Sequence, residues 1–205
     1  MSEFLVPAGH GESELTEKRS RFLGHLLPVD TEEDARAFLA EIRRKYHDAR
    51  HNCWCYRIHD GAERFSDDGE PQGSAGMPML EVFRKENIEN YVCVVTRYFG
   101  GVLLGTGGLS RAYSQAAKDA LLAAGTVPTG LWCEISFPCP YGLLERFKNE
   151  LSGFGAIPGE FAYGADVTVR AMIPADDAEA LATRILDISG GKIIAQVSEP
   201  FLRSI

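Results

Sequence analysis

The apolar positions change period along the chain, and those changes mark out the elements. Residues 1–18 are polar apart from a short Phe4-Leu5-Val6-Pro7 element, and Phe22 to Val29 forms the first true strand, entered through Lys18, Arg19 and Arg21. Thr31 stands where an N-cap belongs, with Glu32, Glu33 and Asp34 in the first turn, where carboxylates face the positive end of a helix. Ala35, Phe38, Leu39, Ile42 and Tyr46 then recur at helical spacing, and Arg43, Arg44 and Lys45 suit the negative end. His51 to Ile58 predicts a strand, with Asn52, Trp54, Tyr56 and Ile58 as its expected core face. A helical pattern covers Met77 to Lys85, with Pro78 near its start, where a missing N–H costs little. Tyr91 to Thr96 has the unbroken apolar character of a central strand. The stripe Leu109, Ala112, Tyr113, Ala116, Ala117, Ala120, Leu121 and Ala124 predicts the strongest helix, closed by Gly125.

The pattern restarts beyond Val127-Pro128-Thr129-Gly130, which reads as a boundary between domains of residues 1–128 and 131–205. Leu131 to Phe137 predicts a strand, and Tyr141 to Leu151 a helix on Leu144, Phe147 and Leu151. A short strand is expected around 155–158, a longer one over Ala165–Ile173, and a helix over Asp176–Ile188. A last strand is expected over Lys192–Val197. The order β-α-β-β-α-β predicts a ferredoxin-like layer, and the whole chain an α+β protein.

Charge narrows the function classes. The formal net charge of −8 is shared equally by residues 1–128 and the remainder, which argues against a strong non-specific nucleic-acid binder and leaves room only for a local basic patch. Cys53, Cys55, Cys93, Cys133 and Cys139 are odd in number and lack CxxC spacing, so they are expected to be buried small hydrophobes. No basic start leads into a long apolar run, and no run approaches the length of a membrane span; a cytoplasmic protein without membrane contact is expected.

Candidate chemistry concentrates between Phe65 and Ala112, where an acidic turn (Asp67, Asp68, Glu70), the strand ending in Arg97 and a glycine-rich loop share one stretch. GVLLGTGG matches neither GxxxxGK[ST] nor GxGxxG, so it is no nucleotide fingerprint. Gly100, Gly101, Gly105, Gly107 and Gly108 could still expose backbone N–H groups at a helix start, flanked by Arg97 and Arg111, as an anion site; the alternative is that they only permit tight turns and close packing. Ser110 reads as a first-turn serine and not a nucleophile, because no GxSxG surrounds it. Asp67, Asp68 and Glu70 could meet a histidine such as His51 around a divalent cation; equally, Asp67 or Asp68 could hold Arg97 or backbone amides in place, and the three acids could together orient Arg97 and Arg111 at a binding surface. His10, His25, His47 and His59 lack HExxH or comparable spacing and read as structural or exposed. No cofactor and no metal site are expected. Arg97-Tyr98-Phe99 ahead of Gly-Gly could offer charge and stacking to RNA or a peptide, against a plainer reading with Phe99 in the core and Tyr98 half-buried.

FSDDGEPQGSAGMPML, VVTRYFGG and LGTGGLSRAY, preceded by KRSRF and HNCWCY, closely resemble the IMPACT family in its bacterial YigZ-type form. The matching positions include Asp67, Asp68, Glu70, Arg97, Tyr98, the loop glycines and Arg111; Val102-Leu103 departs from the family, which often has a basic residue before LG. The resemblance implies an N-terminal domain like ribosomal protein S5 domain 2 and a ferredoxin-like C-terminal domain like the last domain of elongation factor G. It also implies a non-enzymatic protein that contacts RNA, the ribosome or a translation-associated protein. Eukaryotic relatives regulate translation by binding a partner of the kinase that senses amino-acid shortage. Some bacterial members carry a proline dipeptidase label, so a small hydrolase using the acidic loop is the alternative expectation.

Overall fold

A computed structural model describes residues 4–204, in two compact units that divide between Pro128 and Thr129. In chain order the N-terminal unit contains β1 (Leu5–Pro7), β2 (Gly11–Glu17), β3 (Ser20–Pro28), α1 (Glu32–Lys45), β4 (His51–Arg57), β5 (Glu63–Ser66), α2 (Gly76–Lys85), β6 (Tyr91–Tyr98) and α3 (Gly105–Ala124). Among the described residues its main sheet has five antiparallel strands in the order β2-β3-β6-β4-β5. The next strand, β7 (Thr126–Cys139), gives its first residues to this unit, where they pair with β1.

Helices cover both faces of the sheet, so β6 is buried along almost its whole length. Its odd-numbered residues Tyr91, Cys93 and Val95 join α2 and α3 in the larger core, whereas Val92 and Val94 pack beneath α1. This corrects the expected assignment of faces in β4. Trp54 and Tyr56 do pack on the α1 side, but Cys53 and Cys55 are completely buried against α2 and α3. A strand covered on both sides has no solvent face for alternation to reveal. Thr31 caps α1 as its sequence requires, its Oγ1 accepting from Asp34 N at 3.1 Å.

The C-terminal unit adds to β7 the elements α4 (Leu144–Gly153), β8 (Ile157–Pro158), β9 (Ala162–Tyr163), β10 (Val167–Pro174), α5 (Ala175–Ile188), β11 (Gln196–Val197) and β12 (Phe201–Ser204). β10 pairs with β7 on one side and with β8 and β9 on the other, while β11 and β12 pair with the free edge of β7; all these pairings are antiparallel. This is the ferredoxin-like arrangement, with Phe147, Leu151, Leu181 and Ile185 seating the helices on the sheet. The last strand differs from expectation. Ile193 is buried, yet pairing begins only at Gln196 and resumes at Phe201 after the Ser198–Pro200 break. Pro200 cannot donate to a ladder, which explains the interruption.

Candidate functional site

The acidic turn after β5 places its three carboxylates on three different tasks. Asp67 reaches the start of α2, where Oδ1 accepts from Ala75 N (3.0 Å) and Gly76 N (2.9 Å) and Oδ2 from Gly73 N (2.7 Å). The helix has no N-cap side chain of its own, so Asp67 supplies the missing acceptor from outside. Asp68, at φ +43°, turns the chain back onto β4. Its carboxylate takes Asn52 N at 2.7 Å and Arg43 Nη2 at 2.9 Å, and its carbonyl meets His51 Nδ1 at 2.8 Å. Glu70 points inward and accepts from Arg97 Nη1 at 2.7 Å and the Tyr113 hydroxyl at 2.8 Å, with Glu70 and Arg97 both buried.

These commitments correct two expectations. The carboxylates do not converge with His51 on a common point, so the hydrolase reading of the acidic loop loses its geometric basis. The acids also do not jointly orient Arg97 and Arg111: Glu70 alone holds Arg97, and Asp68 holds Arg43. Arg111 is exposed on α3 and does not line the cavity beside Arg97.

Arg97, one residue before the end of β6, sits in a stacked environment. Its guanidinium carbon lies 5.5 Å from the ring centroids of both Phe22 and Phe99, and Nη2 meets Ser20 Oγ at 3.3 Å. Nε is buried without a hydrogen-bond partner. A cavity of about 410 Å³ opens beside this group, walled by Pro71, Phe99, Leu103, Leu104 and Leu109, with His51 and Arg50 at its polar margin. Gly105 and Thr106 line it too, which brings the first turn of α3 to the cavity, and no side chain caps that helix.

The remaining expected residues sort by geometry. Tyr98 is half-buried and donates to Asp48 Oδ1 at 2.8 Å. Phe99 is not in the core: it is 49% exposed, and Leu103 is 84% exposed. Gly100 allows a close approach, since a Cβ there would lie 1.9 Å from the carbonyl carbon of Arg19. Gly101 and Gly105 have φ of +82° and +69°, and Gly107 and Gly108 belong to the first turns of α3. Gly100→Ala should therefore force the backbones of β3 and the 99–104 loop apart at a cost of about 1–3 kcal/mol, read as a lower urea midpoint. Burial also pushes the Tyr113 hydroxyl and the Cys53 thiol well above their usual ranges, which keeps both protonated beside Glu70. Among the described residues all five cysteines are free and buried.

Arg50 and Leu104 carry no signal of their own in the sequence, and Leu103 stands out there only as part of the departure from the family. A run of apolar residues between glycines, Val102-Leu103-Leu104, was the available signal, because a loop seldom carries such residues unless they are covered or used.

Comparison with known proteins matches residues 18–121 to the Impact N-terminal domain and residues 138–192 to a domain of unknown function. The chain is 36% identical to the IMPACT family member YvyE of Bacillus subtilis, covering 89% of this chain and 85% of that protein. It is 34% identical to the IMPACT family member YigZ of Escherichia coli, covering 94% and 97% respectively. A crystal structure of a hypothetical protein, 33% identical, superposes with a TM-score of 0.64 over 96% of this chain and 97% of the other.

Proposed function

The chain belongs to the IMPACT family, and on that footing we propose that it is a non-enzymatic binding protein of the translation machinery. The cavity at the end of β6 is its docking site, and a protein segment is its occupant. The observation that carries this reading is the exposure of Phe99 and Leu103 in a cavity that a buried arginine also lines. Apolar side chains exposed together in a loop favour an apolar or aromatic anchor from a partner. Arg97, rigid between two rings and already bonded to Glu70, offers a fixed donor for a carbonyl or carboxylate of that segment.

A polynucleotide fits less well. Neutralising a phosphodiester backbone needs several free cations, and here Arg97 is paired while the whole chain is net negative. The loop lacks the basic residue that relatives often carry at Val102-Leu103, which points the same way. The link to translation rests on the family likeness.

Sedimentation of cell extract through sucrose gradients tests the proposal. Wild-type protein is expected to travel partly with ribosomal particles or a factor complex. Phe99→Ser combined with Leu103→Asp should reduce that fraction about tenfold, as removal of a central anchor does, while leaving the circular dichroism unchanged and lowering the urea midpoint only slightly, through the lost stacking of Phe99 on Arg97. Equal sedimentation of the two proteins would exclude the cavity as the docking site.

A further inference from the structure

We propose that His10, Glu12 and His25 form a binding site for a divalent cation of the zinc class at the open end of the β2–β3 hairpin. His10 and Glu12 are close in sequence, and strand register brings His25 to them. Glu12 lies directly opposite His25 in the antiparallel pair, and His10 precedes Glu12 by two residues. Their donor atoms all lie within 4.8 Å of one another.

His25 supplies the strongest part of the case. The residue is buried, only 3% exposed, and its Nδ1 has no hydrogen-bond partner. That nitrogen sits 3.2 Å from Glu12 Oε1 without the alignment of a hydrogen bond. Tetrahedral ligands about 2.0–2.1 Å from a zinc ion lie about 3.3 Å apart, so this spacing is that of two donors flanking a cation. The other ring nitrogen, Nε2, lies 3.1 Å from the Tyr46 hydroxyl. In the tautomer whose Nε2–H donates to Tyr46, the Nδ1 lone pair faces Glu12 and is free for a metal, with the second hydrogen bond that supports a metal-bound histidine.

His10 Nε2 stands 3.9 Å from the same Glu12 oxygen, and its ring lies nearly parallel to that of His25, at 9° and with centroids 6.1 Å apart. Both His10 and Glu12 are exposed, so a small rotation of either closes the set. Two imidazoles and a carboxylate suit zinc and its borderline neighbours better than calcium or magnesium, which prefer all-oxygen shells. A cavity of about 380 Å³ lined by Glu12, His25 and Tyr46 gives an entry path and leaves a fourth position to solvent. One group competes. Lys45 Nζ is 3.9 Å from Glu12 Oε1 and must swing away when a cation binds.

The test is titration of metal-free, fully reduced protein with Co²⁺ as the spectroscopic probe, followed by competition with Zn²⁺. One equivalent should bind with visible d–d absorption and no thiolate charge-transfer band. His10→Ala and Glu12→Gln should each weaken binding by about tenfold or more, and Lys45→Ala should strengthen it. All three positions are exposed, so these variants are expected to fold normally. The proposal is overturned if the wild-type protein binds no stoichiometric Co²⁺, if bound cobalt shows thiolate ligation, or if His10→Ala and Glu12→Gln bind as tightly as wild type.

Discussion

Arg97→Ala is expected to lower stability by about 3–5 kcal/mol, the usual cost of breaking a buried ion pair. The loss has three sources visible in the structure. Glu70 keeps its bond to the Tyr113 hydroxyl but is left as a buried carboxylate without its cation. Ser20 Oγ loses its contact with Nη2, and Phe22 and Phe99 lose the guanidinium stacked between them. Removing both charges together should be milder: Arg97→Met with Glu70→Leu is expected to recover much of the stability, because neither residue then leaves an orphan charge. Urea denaturation followed by circular dichroism measures all three proteins. A single variant no less stable than the double would show that the pair contributes little.

Asp67→Ala is the second large effect, about 3 kcal/mol or more. One carboxylate accepts from Gly73, Ala75 and Gly76, and an alanine leaves all three N–H groups to find water or remain unpaired. Because Ala75 and Gly76 open α2, the cost should appear locally as faster amide exchange in the first turn of that helix. Asp67→Asn keeps one acceptor oxygen and loses the charge, so it should fall between wild type and alanine. An Asp67→Ala protein with wild-type exchange at Ala75 and Gly76 would contradict the capping role.

Both effects belong to residues the sequence places in a candidate site, and the structure shows why stability and function are hard to separate there. Period and capping made α1, α3 and β6 legible: their apolar stripes are long, and Thr31 and Gly125 punctuate them. β2 was not legible. Its sequence GESELTE contains one large apolar residue, because it is an edge strand whose inner face meets α3 and the core through Gly11, Ser13 and Leu15. The short β5 was hidden for a related reason, since it owes its place to pairing with β4 and carries charged residues. Within the site, a bond between Arg97 and an acid of the turn was foreseeable from the opposite charges. Which acid took which partner was not, because Asp67, Asp68 and Glu70 are near neighbours in sequence and turn geometry alone sends them apart. The exposed position of Phe99 was also beyond reach. Phe99 lies just past the end of β6, where Gly100 packs closely against the backbone of Arg19, a tertiary contact with no local signal. The His10–Glu12–His25 cluster depends entirely on register and carries no local spacing signal.

We propose the cavity walled by Phe99, Leu103 and Leu109 as the seat of a segment of a translation-associated protein. A photo-crosslinking amino acid placed at Leu103 in the intact protein, activated in living cells, tests it most directly. A discrete crosslink to a ribosomal protein or translation factor is expected, and it should disappear when Phe99 is also changed to serine. The same group placed at Lys148 in the other unit should give no such product. Crosslinks to RNA alone, or an identical set of products from both positions, would contradict it.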